Sequence, residues 1–236
     1  LHVRLADEAV GIGGPLSRDS YLNAPAVVAA AWKTKADAVH PGYGFLSENA
    51  DFARRCGEAG LAFIGPSPEA IAAMGDKAAA RRTVAQLGVP VVEGADVNAG
   101  DPAAAARRAA EIGYPVLIKA VAGGGGKGMR RVDDPADFAD ALASCQREAA
   151  SSFGDPTVFL ERVITDARHV EVQIIADEHG SVWAPGVRDC SIQRRNQKVI
   201  EESASTALSD DAEAELRAAA SRLAQVAGYT NAGTVE

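Results

Sequence analysis

Aromatic residues are scarce in this chain, 5% of 236 residues, and there are only three cysteines, Cys56, Cys145 and Cys190, far apart and odd in number. Three isolated thiols give neither a disulfide framework nor a metal-type spacing, so they are expected to be reduced. No apolar run approaches the ~18 residues that a membrane span requires. The opening "LHVRLADEAV" is charged and helix-like, unlike a secretory leader. Basic residues are outnumbered, 24 Lys and Arg against 32 Asp and Glu, for a net charge of -8. That balance argues against nucleic acid and against membrane as partners, because both call for basic surface. It leaves room for a local cationic pocket. A cytoplasmic protein is the expectation.

What is present is ordinary for a globular protein: 47% hydrophobic and 24% charged residues, in a length that can bury a sizeable core. Helix-like and strand-like patterns alternate in the α/β manner. In "SYLNAPAVVAAAWKTKA" a helix begins near Ser20 or Asn23. "ADAVHPGYG" is a strand running into a Pro/Gly loop, "NADFARRCGEAG" a helix stopped by Gly60, and "LAFIGPSP" a second strand, which together make a βαβ-like unit. Helix follows on both sides of Gly75. "DPAAAARRAAEIG" carries a full set of helix signals, with Asp101 as N-cap, Pro102 in the first turn and Gly113 as stop. "YPVLIKAV" is a buried strand, "MRRV" a short one, and "DPADFADALASCQREAASSFG" a helix. "TVFLERVI" and "HVEVQIIAD" are strands, and "SVWAPG" is a short strand. A long helix from Ser209 to Gly228 precedes a last strand, "NAGTVE". Position 1 is Leu and that last strand stops without a turn, so the chain is expected to be a piece of a longer protein.

Four consecutive glycines, Gly123 to Gly126, lie between Lys119 and Lys127. Such a run is costly to order. It is not a P-loop, because Gly128 and not Ser or Thr follows the lysine, and a strand rather than a helix comes next. It is not a dinucleotide-binding turn for the same reason. Two readings remain: a hairpin tip, or a loop whose amides close over an anion. Lys119, set in an apolar strand, needs a partner for its charge. Lys77 on its own reads as a surface helix lysine. "HPGYGFLSEN" follows a strand end, where open α/β sheets place their ligands. His169 heads an alternating strand and suits either a structural donor or a ligand contact. "RDCSIQRRNQKVIEES" gathers Arg188, Arg194, Arg195 and Lys198 into one stretch of an acidic chain; it reads as a charged loop, solvated or anion-binding. Glu236 is a lone candidate metal carboxylate. Cations, a glycine loop and a carboxylate together suit a nucleoside triphosphate with Mg²⁺ and a small anionic second substrate.

Five stretches, "HPGYGFLSEN", "FIGPSPEAIAAMGDK", "YPVLIKAVAGGGGKGM", "RHVEVQI" and "DCSIQRRNQKVIEES", resemble the biotin carboxylase component of acetyl- and propionyl-CoA-type biotin-dependent carboxylases, of the ATP-grasp superfamily. They occur in the family's order and cover nearly the whole chain. The resemblance implies a truncated N-terminal α/β, Rossmann-like domain over residues 1–66, then an ATP-grasp domain over 67–236 with a glycine-rich lid at about 91–163. It implies an ATP-dependent ligase that carboxylates biotin on a carrier, by way of carboxyphosphate made from bicarbonate. The cofactors implied are ATP, Mg²⁺ or Mn²⁺, and biotin as carried substrate. The partners implied are a biotin carboxyl carrier, a carboxyltransferase and a second copy of the full-length chain.

By the same resemblance, Lys77 and Lys119 hold ATP phosphates, and Gly123, Gly124, Gly125, Gly126 and Gly128 form the flap. Glu161, Arg162 and Ile164 line the adenine edge, with Arg162 where the family often has Lys. His169 and Gln193 contact the nucleotide, as does Asn196, where the family often has His. Lys198 is catalytic and lies near bicarbonate and biotin, Tyr43 and Gly44 flank the biotin ring, and Glu236 binds metal. In the family the second metal glutamate, the catalytic base and two further arginines lie beyond the position of Glu236, and about 40 residues precede the position of Leu1. The fragment alone is therefore expected to be inactive. The competing readings are a carbamoyl-phosphate synthetase, a pyruvate carboxylase, or a non-catalytic nucleotide-binding module.

Overall fold

A computed structural model describes residues 2–75, 77–97, 100–121, 128–194 and 197–236, with the side chains of 77–79 and 153 excepted. The chain divides into two compact units. One comprises Leu1–Leu87, Val172–Gly186 and Asp210–Val235; the other comprises Gly88–Glu171, Val187–Ser209 and Glu236.

The first unit opens with α1 (His2–Leu5), α2 (Ala24–Lys33), β1 (Ala38–Val39), α3 (Ala50–Glu58), β2 (Ala62–Phe63), α4 (Pro68–Gly75) and α5 (Lys77–Gln86). Asn23 and Asn49 start α2 and α3: each side-chain oxygen accepts the amide three residues on, at 3.2 and 2.8 Å. These bonds satisfy donors that the first helical turn leaves free. β1 and β2 pair in parallel around α3, the expected βαβ unit, although each strand is only two residues long. Leu46, Phe52, Cys56 and Leu61 form its core, and Phe63 meets Phe52 edge-on with ring centroids 5.9 Å apart.

The second unit begins with β3 (Gly94–Asp96), α6 (Pro102–Ile112), β4 (Val116–Ala120), β5 (Met129–Val132), α7 (Phe138–Phe153) and β6 (Val158–Arg162). The strands form an antiparallel sheet in the order β3-β6-β4-β5. Asp101 caps α6 by accepting the Ala104 amide at 2.8 Å. The period-two alternation of a strand fixes the two faces. Val116, Ile118, Val158 and Leu160 are buried in one core with residues of α6 and α7. Lys119, Phe159 and Glu161 therefore share the opposite face.

β7 (Val170–Ala176), β8 (Val182–Arg194), β9 (Gln197–Ser203), α8 (Asp210–Val226) and β10 (Asn231–Val235) complete the chain. The sheet order is β10-β7-β8-β9. Here the structure corrects an expectation. "SVWAPG" is the start of a 13-residue strand, and the described residues of "RDCSIQRRNQKVIEES", 188–194 and 197–203, are not loop but the end of β8 and all of β9, paired antiparallel. The pairing register shifts between Asp189 and Gln193, and the neighbours Asp189 and Cys190 are both buried. A bulge breaks the alternation that would mark a strand, and a buried aspartate hides it further. No helix among the described residues is long and apolar enough to cross a membrane.

Candidate functional site

Two clusters of charge lie in the second unit. The first grows from the β4–β6 pairing. Lys119 stands opposite Phe159, and Glu161 opposite Leu117, two residues along. The Lys119 ammonium donates to the Glu161 carboxylate and lies 5.7 Å from the centre of the Phe159 ring. Both charged side chains are about four-fifths covered, at 24% and 20% exposure, so each needs the other. The partner that the sequence demanded for Lys119 is thus a carboxylate of the same sheet. Beside it, Gly128 ends the glycine stretch at φ 68°, a left-handed conformation that suits glycine. Its carbonyl accepts the Ala120 amide at 2.7 Å. Its own amide reaches the Glu148 carboxylate at 3.4 Å, and Glu148 also receives Arg130 at 3.0 Å. Gly128 is thereby tied to α7.

β6 then leads to the stretch expected at the adenine edge. The Arg162 amide donates to the Glu93 carbonyl at 2.8 Å and the Val163 amide to Pro115 at 3.0 Å. The Ile164 amide makes no hydrogen bond among the described residues, and its side chain is 58% exposed. An open amide beside an exposed apolar side chain can receive the edge and the face of a planar heterocycle.

The second cluster is built by β7, β8, β9 and Glu236. Glu171 is 2% exposed. One of its oxygens accepts Arg188 Nε at 2.7 Å and Arg188 Nη2, and the other accepts Lys198 Nζ. Burial pushes this carboxyl up, but the hydrogen bonds from Lys198 and Arg188 outweigh it, and the net direction is down. Glu171 is therefore ionised at neutral pH; its pairing supports the fold above the ordinary carboxylate pKa and is lost on acidification through the lowered native value. Lys198 also donates to Glu236 at 2.5 Å. Burial disfavours its charge, yet the two carboxylates outweigh that and hold its pKa above the ordinary lysine range. Lys198 is thus held as a cation that donates hydrogen bonds to both carboxylates. His169 Nε2 lies 3.8 Å from Glu236; it is shielded from solvent and makes no hydrogen bond among the described residues.

His169, Glu171 and Glu236 could offer one metal-ligating atom each within 4.8 Å of one another. Glu171 is already neutralised by two cations. Glu236, 53% exposed, is the carboxylate with oxygen free for a hard divalent ion, which fits Mg²⁺ or Mn²⁺.

The sequence-predicted residues fall into three groups. Lys119 with Glu161, and His169 with Lys198 and Glu236, are brought together in the second unit, which also holds Arg162, Ile164 and Gly128. Gln193, in that unit too, turns its amide back to the Cys190 carbonyl at 2.9 Å. Tyr43 and Gly44 belong to the first unit, where the loop carries φ 70° at Gly42 and Gly44 and φ 48° at Phe45; the Tyr43 side chain is 95% exposed. Gly123, Gly124, Gly125, Gly126 and Asn196 lie outside the described residues, as does the side chain of Lys77 on α5. Sequence reasoning missed Glu171 and Arg188 as a pair. The available signal was electrostatic: so many cations in one stretch call for a buried counter-ion.

Comparison with known proteins places this geometry. Residues 76–236 match the family described as "Carbamoyl-phosphate synthase L chain, ATP binding domain", and residues 1–71 match "Biotin carboxylase, N-terminal domain". The whole chain is 52% identical to a biotin carboxylase of Nostoc sp., covering 53% of it. It is 53% identical to the mitochondrial methylcrotonoyl-CoA carboxylase subunit alpha of Oryza sativa subsp. japonica, covering 32% of it. Among solved structures it resembles the biotin carboxylase domain dimer of the Hydrogenobacter thermophilus 2-oxoglutarate carboxylase, in complex with MgADP, ADP and bicarbonate. The TM-score is 0.92 and the identity 44%, over 99% of this chain and 51% of that one. The chain thus spans about half the length of the Nostoc relative and a third of the rice subunit. With both domain matches in tandem, the chain belongs to the family of the carbamoyl-phosphate synthase L chain ATP binding domain, preceded by a biotin carboxylase N-terminal domain.

Proposed function

We propose that the full-length protein containing this chain is a biotin carboxylase: an ATP-dependent ligase that makes carboxyphosphate from bicarbonate and carboxylates biotin on a carrier. The observation that supports this best is Lys198, a fixed ammonium held between Glu171 and Glu236, with the unpaired His169 Nε2 near Glu236. Such a group can bind an anionic oxygen and keep it while charge builds on a transferring phosphoryl. Lys77, Lys119 and the glycine flap Gly123–Gly126 with Gly128 hold the ATP phosphates, and residues 91–163 act as the lid. Glu161, Arg162 and Ile164 take the adenine; His169, Gln193 and Asn196 take the rest of the nucleotide. Closure of the lid on bound ATP excludes water from the transfer. Glu236 holds Mg²⁺ or Mn²⁺, which supplies charge neutralisation at the phosphates. Tyr43 and Gly44 receive the biotin ring. The partners are a biotin carboxyl carrier, a carboxyltransferase and a second copy of the chain. The rice relative favours an acyl-CoA as final acceptor.

The family description also favours a second reading, a carbamoyl-phosphate-type ligase, which would use ATP and bicarbonate without biotin. ADP release separates the two. With Mg-ATP the full-length protein is expected to release ADP only when bicarbonate is present, and several-fold faster when free biotin is added. Bicarbonate-dependent release indifferent to biotin would select the second reading.

A further inference from the structure

A hydrogen-bonded chain that the proposed site does not use runs from the protein interior to the backbone of His169. Asp189, in β8, is 4% exposed. Its Oδ1 accepts both the amide and the hydroxyl of Ser191, at 3.0 and 2.5 Å, and its Oδ2 accepts the Ser205 hydroxyl at 2.9 Å. Arg168 Nη1 stands 3.5 Å away. The Ser191 hydroxyl, having given its proton to Asp189, accepts the His169 amide at 2.9 Å. The neighbouring Cys190 amide donates to the His169 carbonyl at 2.7 Å. Every proton direction here is forced: amides only donate and the carboxylate only accepts. Both polar backbone groups of His169 are therefore held by residues 190 and 191, and Asp189 holds residue 191.

We propose that Asp189 is a positioning residue for His169, acting through the Ser191 hydroxyl. Fixing the backbone at 169 fixes the direction in which the imidazole leaves it, and so sets where the unpaired Nε2 meets a bound nucleotide. The serine is a relay because its one proton is committed to Asp189, which turns a lone pair toward the His169 amide. Without Asp189 that hydroxyl rotates freely, and the segment before β7 loses one of its two anchors, keeping the bond from the Cys190 amide. The inference rests on the reading of His169 as a nucleotide contact.

The test is the affinity of the full-length protein for Mg-ADP, measured by titration calorimetry for Asp189→Ala, Ser191→Ala and Ser191→Thr, each alone and combined with His169→Ala. Asp189→Ala, which removes the acceptor, and Ser191→Ala are expected to weaken Mg-ADP roughly tenfold with His169 present and less than about twofold without it, since residues in one network couple. Ser191→Thr keeps the hydroxyl and should stay within about threefold of wild type. A purely structural role predicts the same loss in both backgrounds, and that result would overturn the inference. So would wild-type affinity in Asp189→Ala or in His169→Ala. If Asp189→Ala does not fold, Ser191→Ala carries the same reading, because it removes a single oxygen. Wild-type protein that binds no Mg-ADP would instead sink the nucleotide reading, and this inference with it.

Discussion

Glu171→Ala is expected to destabilise the protein by about 3 kcal/mol, as for other buried ion pairs broken on one side. The carboxylate is 2% exposed and receives Arg188 through two nitrogens and Lys198 through a third. Removing it leaves two cations facing each other, each about one-quarter exposed, with the more exposed Glu201 and Glu236 as nearby acids. Desolvated cations without their acceptor cost far more than a cavity of the same size. Glu171→Gln keeps the shape and loses the charge, so it should fall between the two. Urea unfolding of wild type and both variants measures the difference. A loss under about 1 kcal/mol in Glu171→Ala would mean that solvent already carries the two cations, as it does for surface pairs.

Lys198→Ala should have the largest effect on turnover. One preorganised donor at a site of developing negative charge contributes on the order of a hundredfold to a thousandfold, and Lys198 is held in place from two sides. Bicarbonate- and biotin-dependent ADP release is expected to fall at least about a hundredfold. Mg-ATP affinity should fall far less than turnover: Lys198 shares a network with Glu236, so some coupling is expected, but Lys119 and the lid also hold the nucleotide. Lys198→Arg should not restore the rate, since a planar guanidinium cannot sit between Glu171 and Glu236 as a point donor does. Equal losses in binding and turnover would show instead that Lys198 serves mainly to hold Glu171 and Glu236 in the fold.

Local rules made much of the chain legible. Asp101, Pro102 and Gly113 bounded α6, and the structure shows Asp101 making the cap bond. The alternation of "PVLIKAV" placed Lys119 on a strand beside a glycine loop, and the demand for a counter-charge was correct. What that demand could not reveal was the donor of the counter-charge, because Glu161 is 42 residues away. Glu171 was hidden for a related reason. In "HVEVQI" it occupies a position that alternation assigns to solvent, and only the cations of β8 and β9 make it an interior residue. The β8–β9 hairpin was read as a loop because its inward residues include an aspartate satisfied by two serines. Apolar periodicity reports burial by hydrophobic contact; it is silent where burial is achieved by hydrogen bonds.

The central claim, that this site makes activated bicarbonate for biotin, is tested most directly by carbon transfer. The full-length protein, given Mg-ATP, free biotin and carbon-14-labelled bicarbonate, is expected to yield labelled carboxybiotin in proportion to the ADP released, and none without ATP. ADP release with no label in biotin would contradict the account and leave an ATP- and bicarbonate-using ligase with a different acceptor.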